Sequence, residues 1–131
     1  MTGGALLQMR FTGADLARLR LRVRDAALAA GLDESRCEEL VLAVYELACN
    51  AIVHGGGAGR LLLSQVDGSV RCQITDNGPG FAGTPADDTA PGGGLWLARQ
   101  LTDEIDIGRG DGGTVVTLLV RCRSASRQLN D

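Results

Sequence analysis

The sequence contains no lysine, because all 13 of its basic residues are arginines. A lysine nucleophile, a lysine Schiff base and the lysine of a P-loop are therefore excluded. The 16 acidic residues give a formal net charge of −3, so electrostatics provides no reason to expect a nucleic acid as a direct partner.

Long apolar runs and aromatic residues are also scarce. Aromatic residues make up 3% of a chain that is 44% hydrophobic, so the core must be built from leucine, valine, isoleucine and alanine. No run of about 18 apolar residues is present, and a membrane span is not expected. The N-terminal MTGGALLQMRF lacks the basic and apolar segments of a signal peptide. We therefore expect a cytoplasmic protein.

Cysteine and histidine do not occur in the spacing of a zinc site. Cys37, Cys49, Cys72 and Cys122 are scattered without a CxxC pair, and His54 is the one histidine. Buried thiols in a reducing compartment are the simpler interpretation.

The hydrophobic pattern predicts one domain over residues 1–124 and a frayed tail over 125–131. Helices are predicted over residues 13–30, from Asp33 or Ser35 to 54, and over 95–101; strands are predicted over 5–11, 60–66, 70–75, 105–107 and 114–121. Helices and antiparallel strands are segregated along the chain, which favours an α+β, two-layer α/β sandwich over a doubly wound sheet.

Local signals support three of these boundaries. Gly31 suits the residue after a helix, and Ser35 to Glu38 fits a capping box at the start of the second helix. Asp67 and Gly68 are typical of a type I′ turn between two strands.

Glu46 and Asn50 lie four residues apart on the second predicted helix and therefore share a face. A solvated helix edge explains the glutamate alone. An acid beside an amide oxygen also suits Mg²⁺ that shares substrate phosphates, or a carboxylate that orients or deprotonates a hydroxyl or water. The spacing by itself favours the solvated edge.

A second candidate is ITDNGPGF, in which Asp76 ends a predicted central strand. Gly78 and Gly80 permit close backbone approach, and the carboxylate can accept a hydrogen bond from the exocyclic amine of a nucleobase. An Asx-type turn explains the same residues equally well.

The third candidate is PGGGLWL, in which Gly92, Gly93 and Gly94 lead into a helix that begins near Leu95. Exposed backbone N–H groups at a helix start suit a phosphate. A flexible linker before an ordinary helix is the alternative. The segment is neither a P-loop nor a dinucleotide-binding fingerprint, since no GK[ST] follows and no strand immediately precedes it.

In this order and combination, the three segments resemble the GHKL superfamily of ATP-binding domains, which has the Bergerat fold. ELACNAIVH resembles its N box, DNGPGF its first glycine box and GGGLWLARQLTD its second, while GGTVVTLLV is similar to its closing strand. The resemblance covers nearly the whole chain. It implies a mixed, mostly antiparallel sheet with helices on one face.

The resemblance also implies roles for individual residues. Glu46 would be the general base or water-orienting acid, Asn50 the Mg²⁺ ligand and Asp76 the residue that recognises the adenine amino group. Thr114 would reach the adenine region. The remaining expected ATP-binding residues are Gly78 and Gly80 on the adenine side and Gly92, Gly93, Gly94 and Leu95 at the phosphates.

A free-standing domain of this length is most similar to the anti-sigma-factor serine/threonine kinases of that superfamily. The resemblance implies that the chain binds a sigma factor, or phosphorylates a STAS-type anti-sigma antagonist with ATP, and it leaves a homodimer open. Two alternatives remain: a nucleotide-responsive anti-sigma binding module with little phosphotransfer, and a regulatory domain that acts on another signalling partner.

Two features depart from the pattern of these relatives. A lysine or arginine often stands three residues after the N-box asparagine, where this chain has Val53 followed by His54. The expected lid, residues 82–94, contains no basic residue. Arg99 could supply the missing charge at the phosphates or be a solvated helix residue.

Overall fold

Five strands and three helices make up the computed structural model, which describes residues 4–76, 95–110 and 113–122. The helices are α1 (Leu16–Ala29), α2 (Glu34–His54) and α3 (Trp96–Leu101), and a short 3-10 turn (Gly13–Asp15) precedes α1. The strands are β1 (Gly4–Thr12), β2 (Ala58–Val66), β3 (Ser69–Asp76), β4 (Glu104–Gly110) and β5 (Gly113–Arg121).

The strands form one sheet in the order β1-β2-β3-β5-β4. Every pairing between the described strands is antiparallel. The predicted α+β sandwich is confirmed, but the mixed sheet is wrong for the described strands. Because β3 pairs with β2 on one side and β5 on the other, the strand that ends at Asp76 is the central one.

Buried and exposed side chains alternate along the strands, and the face with the buried side chains packs against the helices. In β3, Val70, Cys72 and Ile74 are buried while Arg71 is exposed, as the two-residue period of a strand requires. Leu40, Val44 and Leu47 of α2 are buried against this face. The core is aliphatic, as the composition predicts, and Phe11 is its one large aromatic side chain among the fully buried residues.

The second helix begins with its N-cap at the first of its two predicted start residues. Asp33 is the N-cap, and its Oδ1 accepts a hydrogen bond of 2.7 Å from the backbone N–H of Arg36. The capping box that starts at Ser35 is therefore wrong, because Ser35 is already inside the helix, which begins at Glu34. An aspartate at the N-cap also places its negative charge at the positive end of the helix dipole.

The turn between β2 and β3 also differs. Val66 pairs with Ser69, so Asp67 and Gly68 form a two-residue connection as predicted. Only Gly68 has a positive φ, of 68°, whereas a type I′ turn requires positive φ at both central residues. The type I′ assignment is wrong. At the end of α1, Gly31 has the positive φ of 105° that was expected of a residue following a helix.

The cysteines are free thiols. Cys37 and Cys72 are buried, whereas Cys49 and Cys122 are half-buried. Burial raises the pKa of Cys72 to about 12, so this thiol is neutral at physiological pH. Within the described part of the chain, no helix combines the length and apolarity needed to span a membrane.

Arg36 is a charged residue that the sequence pattern did not single out, and its side chain is only 8% exposed. Its guanidinium donates to Glu39 Oε1 at 2.8 Å, to Asp103 Oδ2 and to the carbonyl oxygen of Arg121 at 3.2 Å. Asp103 also accepts from the backbone N–H of Arg121 at 2.7 Å. These bonds join the start of α2 to the segment after α3 and to the end of β5.

We predict that Arg36→Met destabilises the fold by about 2 kcal/mol, because the partly buried acceptors of the guanidinium lose their donor. Urea denaturation measures the change. Arg18→Met is the matched control, since Arg18 forms an exposed pair with Asp15 at 3.0 Å and should cost under about 0.5 kcal/mol. Equal stability of the two variants would contradict the role assigned to Arg36.

Candidate nucleotide-binding site

Asp76 ends the central strand and is buried, with 8% of its surface exposed. It lies opposite Gly59 of β2 and beside the start of β5, where its Oδ1 is 3.5 Å from the backbone N of Thr114. Thr114 is itself 3% exposed. The structure therefore brings together two of the predicted site residues that are 38 positions apart in sequence.

The end of α2 packs directly against this carboxylate. Gly55 is the C-cap of α2, and its N–H donates to the carbonyl oxygen of Ala51 at 2.8 Å. A Cβ at Gly55 would lie 2.3 Å from Cγ of Asp76, a distance that no side chain can occupy. The φ of Gly55 is −112°, so contact with Asp76 and the helix backbone, rather than backbone strain, requires glycine here.

Sequence reasoning missed this contact. The run Gly55-Gly56-Gly57 reads as the end of a helix, and nothing in that run distinguishes the glycine that touches Asp76. Only the register of β3 against β2, together with the length of α2, determines which glycine meets the carboxylate.

Glu46 and Asn50 lie one turn apart on α2, and both are half-buried. Their neighbours Leu47, Ala48 and Ala51 are buried, so the pair lies at the border between core and surface. About 7.5 Å of helix rise separates Asn50 from Gly55. One helix therefore carries the acid/amide pair and continues to the residue that contacts Asp76.

These side chains fit the chemistry expected of a Mg²⁺–nucleotide site. An amide oxygen and a carboxylate are hard oxygen donors, and Mg²⁺ commonly takes one or two protein ligands and completes its shell with water and phosphate oxygens. In the described residues, no group of three or more histidine, cysteine, aspartate or glutamate side chains could hold a metal by itself. A metal bound at Asn50 would thus complete its shell with water and phosphate oxygens.

The phosphate end of the predicted site is described only at its border. Leu95 is fully buried as the N-cap of α3, and Ala98 of the same helix is also buried. The predicted phosphate residues Gly92, Gly93 and Gly94 lie outside the described residues, as do Gly78 and Gly80 on the adenine side. The structure thus gives the positions of Asn50, Asp76, Leu95 and Thr114, and every predicted nucleotide contact stays a prediction.

Val53 stands where relatives often have a basic residue near the phosphates, and Arg99 is the candidate to replace that charge. Val53 is 72% exposed on α2. Arg99 belongs to the last turn of α3 and lines a surface groove with Asp103, Glu104 and Asp106, a groove that contains neither Glu46 nor Asn50. Its position favours the solvated helix residue over a charge at the phosphates.

The fold and the site define a class: an α+β sandwich in which the longest helix and the end of the central strand meet at a buried aspartate. The family model described as "Histidine kinase-like ATPase domain" matches residues 9–120 of the chain. The chain belongs to this family.

Solved structures with the same fold include several kinases. The RsbU and RsbW domains of Rv1364c from Mycobacterium tuberculosis are 25% identical, with a TM-score of 0.65 over 88% of this chain and 32% of that one. Acinetobacter baumannii histidine kinase AdeS is 19% identical, with a TM-score of 0.59 over 90% and 68% of the two chains. The catalytic domain of histidine kinase ThkA is 17% identical, with a TM-score of 0.54 over 88% and 96%.

The present chain spans about one third of the Mycobacterium tuberculosis chain. The likeness to the two histidine kinases shows the fold. No match was found among curated proteins.

We predict that Gly55→Ala destabilises the protein by about 1–3 kcal/mol, because the methyl group must displace Asp76 or the last turn of α2. Gly108→Ala is the matched control, since a Cβ at Gly108 meets no atom within 4 Å. Thermal unfolding of both variants measures the difference. A Gly55→Ala protein as stable as the Gly108→Ala control would show that the contact with Asp76 is not tight.

Proposed function

We propose that this chain binds ATP with Mg²⁺ and acts as an anti-sigma regulatory factor that phosphorylates a serine or threonine of a STAS-type antagonist. The observation that carries the proposal is the meeting of buried Asp76 with Gly55 at the end of the helix that holds Glu46 and Asn50. Membership of the histidine kinase-like ATPase family and the likeness to a chain containing an RsbW domain support it.

Asp76 is the residue that would recognise the base. Its carboxylate is buried at the end of the central strand, where an adenine amino group could donate to it in a site shielded from water. Thr114, beside it on β5, adds a hydroxyl at the same end. Base recognition would therefore depend on β3 and β5, which belong to the rigid sheet.

Glu46 would act on the attacking hydroxyl. The serine oxygen forms its bond to the γ-phosphorus as the bond to the bridging oxygen of ADP breaks, and the hydroxyl proton passes to the Glu46 carboxylate. Bound Mg²⁺ would neutralise phosphate charge. Asn50, one turn along the helix, would hold the metal and so fix the phosphates relative to Glu46.

A specific observation favours the alternative of a binding module with little phosphotransfer. Val53 is exposed and uncharged where related kinases often have a basic residue, and Arg99 lies in the last turn of α3 with the acidic residues after it. Charge that develops on a transferred phosphoryl group would then be stabilised by backbone N–H groups and the metal alone.

We predict that Asp76→Asn weakens ATP binding at least about tenfold, because a hydrogen bond to a charged acceptor is worth roughly 1.5–3 kcal/mol. Calorimetric titration of ATP into the folded variant measures the change. Asp67→Asn is the matched control, as Asp67 is exposed in the turn between β2 and β3. Equal ATP affinity of the two folded variants would remove the basis of the nucleotide hypothesis.

We predict that Glu46→Gln lowers phosphotransfer to a cognate STAS protein by at least about 100-fold while ATP binding changes little. Radiolabelled ATP and Mg²⁺ provide the transfer assay, and Glu34→Gln, at the exposed start of α2, is the matched control. Phosphoserine formation that survives in Glu46→Gln would reject this residue as the base. ATP binding by the unaltered protein without any transfer would instead establish the binding module.

A further inference from the structure

A groove runs between α1 and α2, on the side of these helices that faces away from the sheet. Its volume is about 680 Å³. Leu21 of α1 and Leu42 of α2 both line it and are 63% and 44% exposed. They are two of the four large apolar side chains that are exposed in the described part of the chain, and both lie at this one groove.

Apolar side chains also line this groove, where Val41 borders the core and Leu21 and Leu42 are exposed. In α1, Leu19 and Val23 are fully buried in the core, whereas Leu21 points into the groove. In α2, Leu40 and Val44 are buried, whereas Val41 and Leu42 line the groove. Folding of this domain does not require Leu21 to be apolar, because its side chain gains little burial.

The charge along the groove is mainly positive. Arg20 and Arg24 of α1 line it together with Glu38 of α2. The whole of α1 carries four arginines and one aspartate, in a chain whose net charge is −3. The guanidinium of Arg20 lies 5.3 Å from the ring centroid of Tyr45 on α2, a cation–π contact that holds this charge at the groove wall.

We propose that this groove, named here the α1–α2 groove, is a docking site for an acidic amphipathic helix of a protein partner. An apolar side chain of the partner would lie between Leu21 and Leu42, and its carboxylates would face Arg20 and Arg24. Residues 17–24 of α1 span about 10 Å, which corresponds to roughly two turns of a docked helix. A second copy of this chain fits less well, because its own exposed helix α1 is basic.

The proposal extends the proposed function, since it assigns a surface to a protein partner, but it does not depend on nucleotide binding. The two therefore fail separately. The test uses the full chain without ATP, so its outcome is independent of Asp76 and Glu46.

The probe is a synthetic peptide of about 14 residues with leucine at spacings of 3 and 4 and glutamate at the positions between them. A second peptide replaces every glutamate with lysine. Fluorescence anisotropy of the labelled peptides gives the dissociation constants, and amide chemical shifts of the ¹⁵N-labelled protein locate the site. We expect saturable binding of the acidic peptide alone, with the largest shifts in α1 and the first half of α2.

Two pairs of variants test the two parts of the groove. Leu21→Gln and Arg20→Glu should each weaken the acidic peptide at least about tenfold. Val53→Gln removes an exposed apolar side chain outside the groove, and Arg22→Glu reverses a charge on α1 that does not line it; both should stay within about twofold.

Three results would overturn the proposal. These are absence of saturable binding by the acidic peptide, equal binding of the lysine peptide, and shifts confined to the sheet. Sedimentation of the unaltered protein and of Leu21→Gln tests whether a second copy of the chain occupies the groove. Self-association that Leu21→Gln abolishes would show that a second copy, rather than an acidic helix, binds there.

Discussion

The contact between Asp76 and Gly55 is the constraint on which the site depends. A carboxylate is expensive to bury unless its surroundings are arranged for it, and here those surroundings are the end of α2, the start of β5 and the neighbouring strand β2. The space is too small for a methyl group on Gly55. Because the contact joins α2 to the central strand, it also fixes the distance from Asp76 to the acid/amide pair on the same helix.

The rest of the fold supports that contact from both ends of α2. At the first turn, Arg36 is buried and bonded to Glu39, Asp103 and the backbone of Arg121, which ties the helix to the segment after α3 and to β5. At the last turn, Gly55 meets β3. Between them, Val44 and Leu47 pack into an aliphatic core. A helix held at both ends and along one face presents Glu46 and Asn50 in a fixed orientation.

Most of the architecture could be predicted from periodicity. Alternation in β3 and β5, and the spacing of apolar residues in α2, are strong signals because each element has one fully buried face. The capping box at Ser35 and the type I′ assignment at Asp67 and Gly68 are wrong because caps and turn types depend on backbone φ and ψ, which residue types alone do not determine. The prediction of a mixed sheet, with some parallel pairing, came from the family resemblance. The described strands contain no parallel pair.

The candidate site was predictable in part. Short, recognisable sequence segments contain Glu46, Asn50 and Asp76. The family match over residues 9–120 agrees with the family resemblance that the order of these segments indicates. Gly55 and Arg36 could not be predicted, because their roles arise from contacts with residues 21 and 67 positions away. The same fold also serves histidine kinases under 20% identical to this chain, so the fold alone does not specify the phosphorylated residue.

Three sets of side chains project from α2 in different directions. The angles between these directions around the helix axis follow from the rotation of 100° per residue. The core residues, the pair Glu46 and Asn50, and the groove residues Val41, Leu42 and Tyr45 centre on directions that are roughly 110–140° apart. A helix docked in the α1–α2 groove therefore does not cover the acid/amide pair. If a partner helix lies in the groove and a nucleotide lies in the candidate site, neither needs to displace the other, and any influence between them would pass through α2 or the elements packed on it.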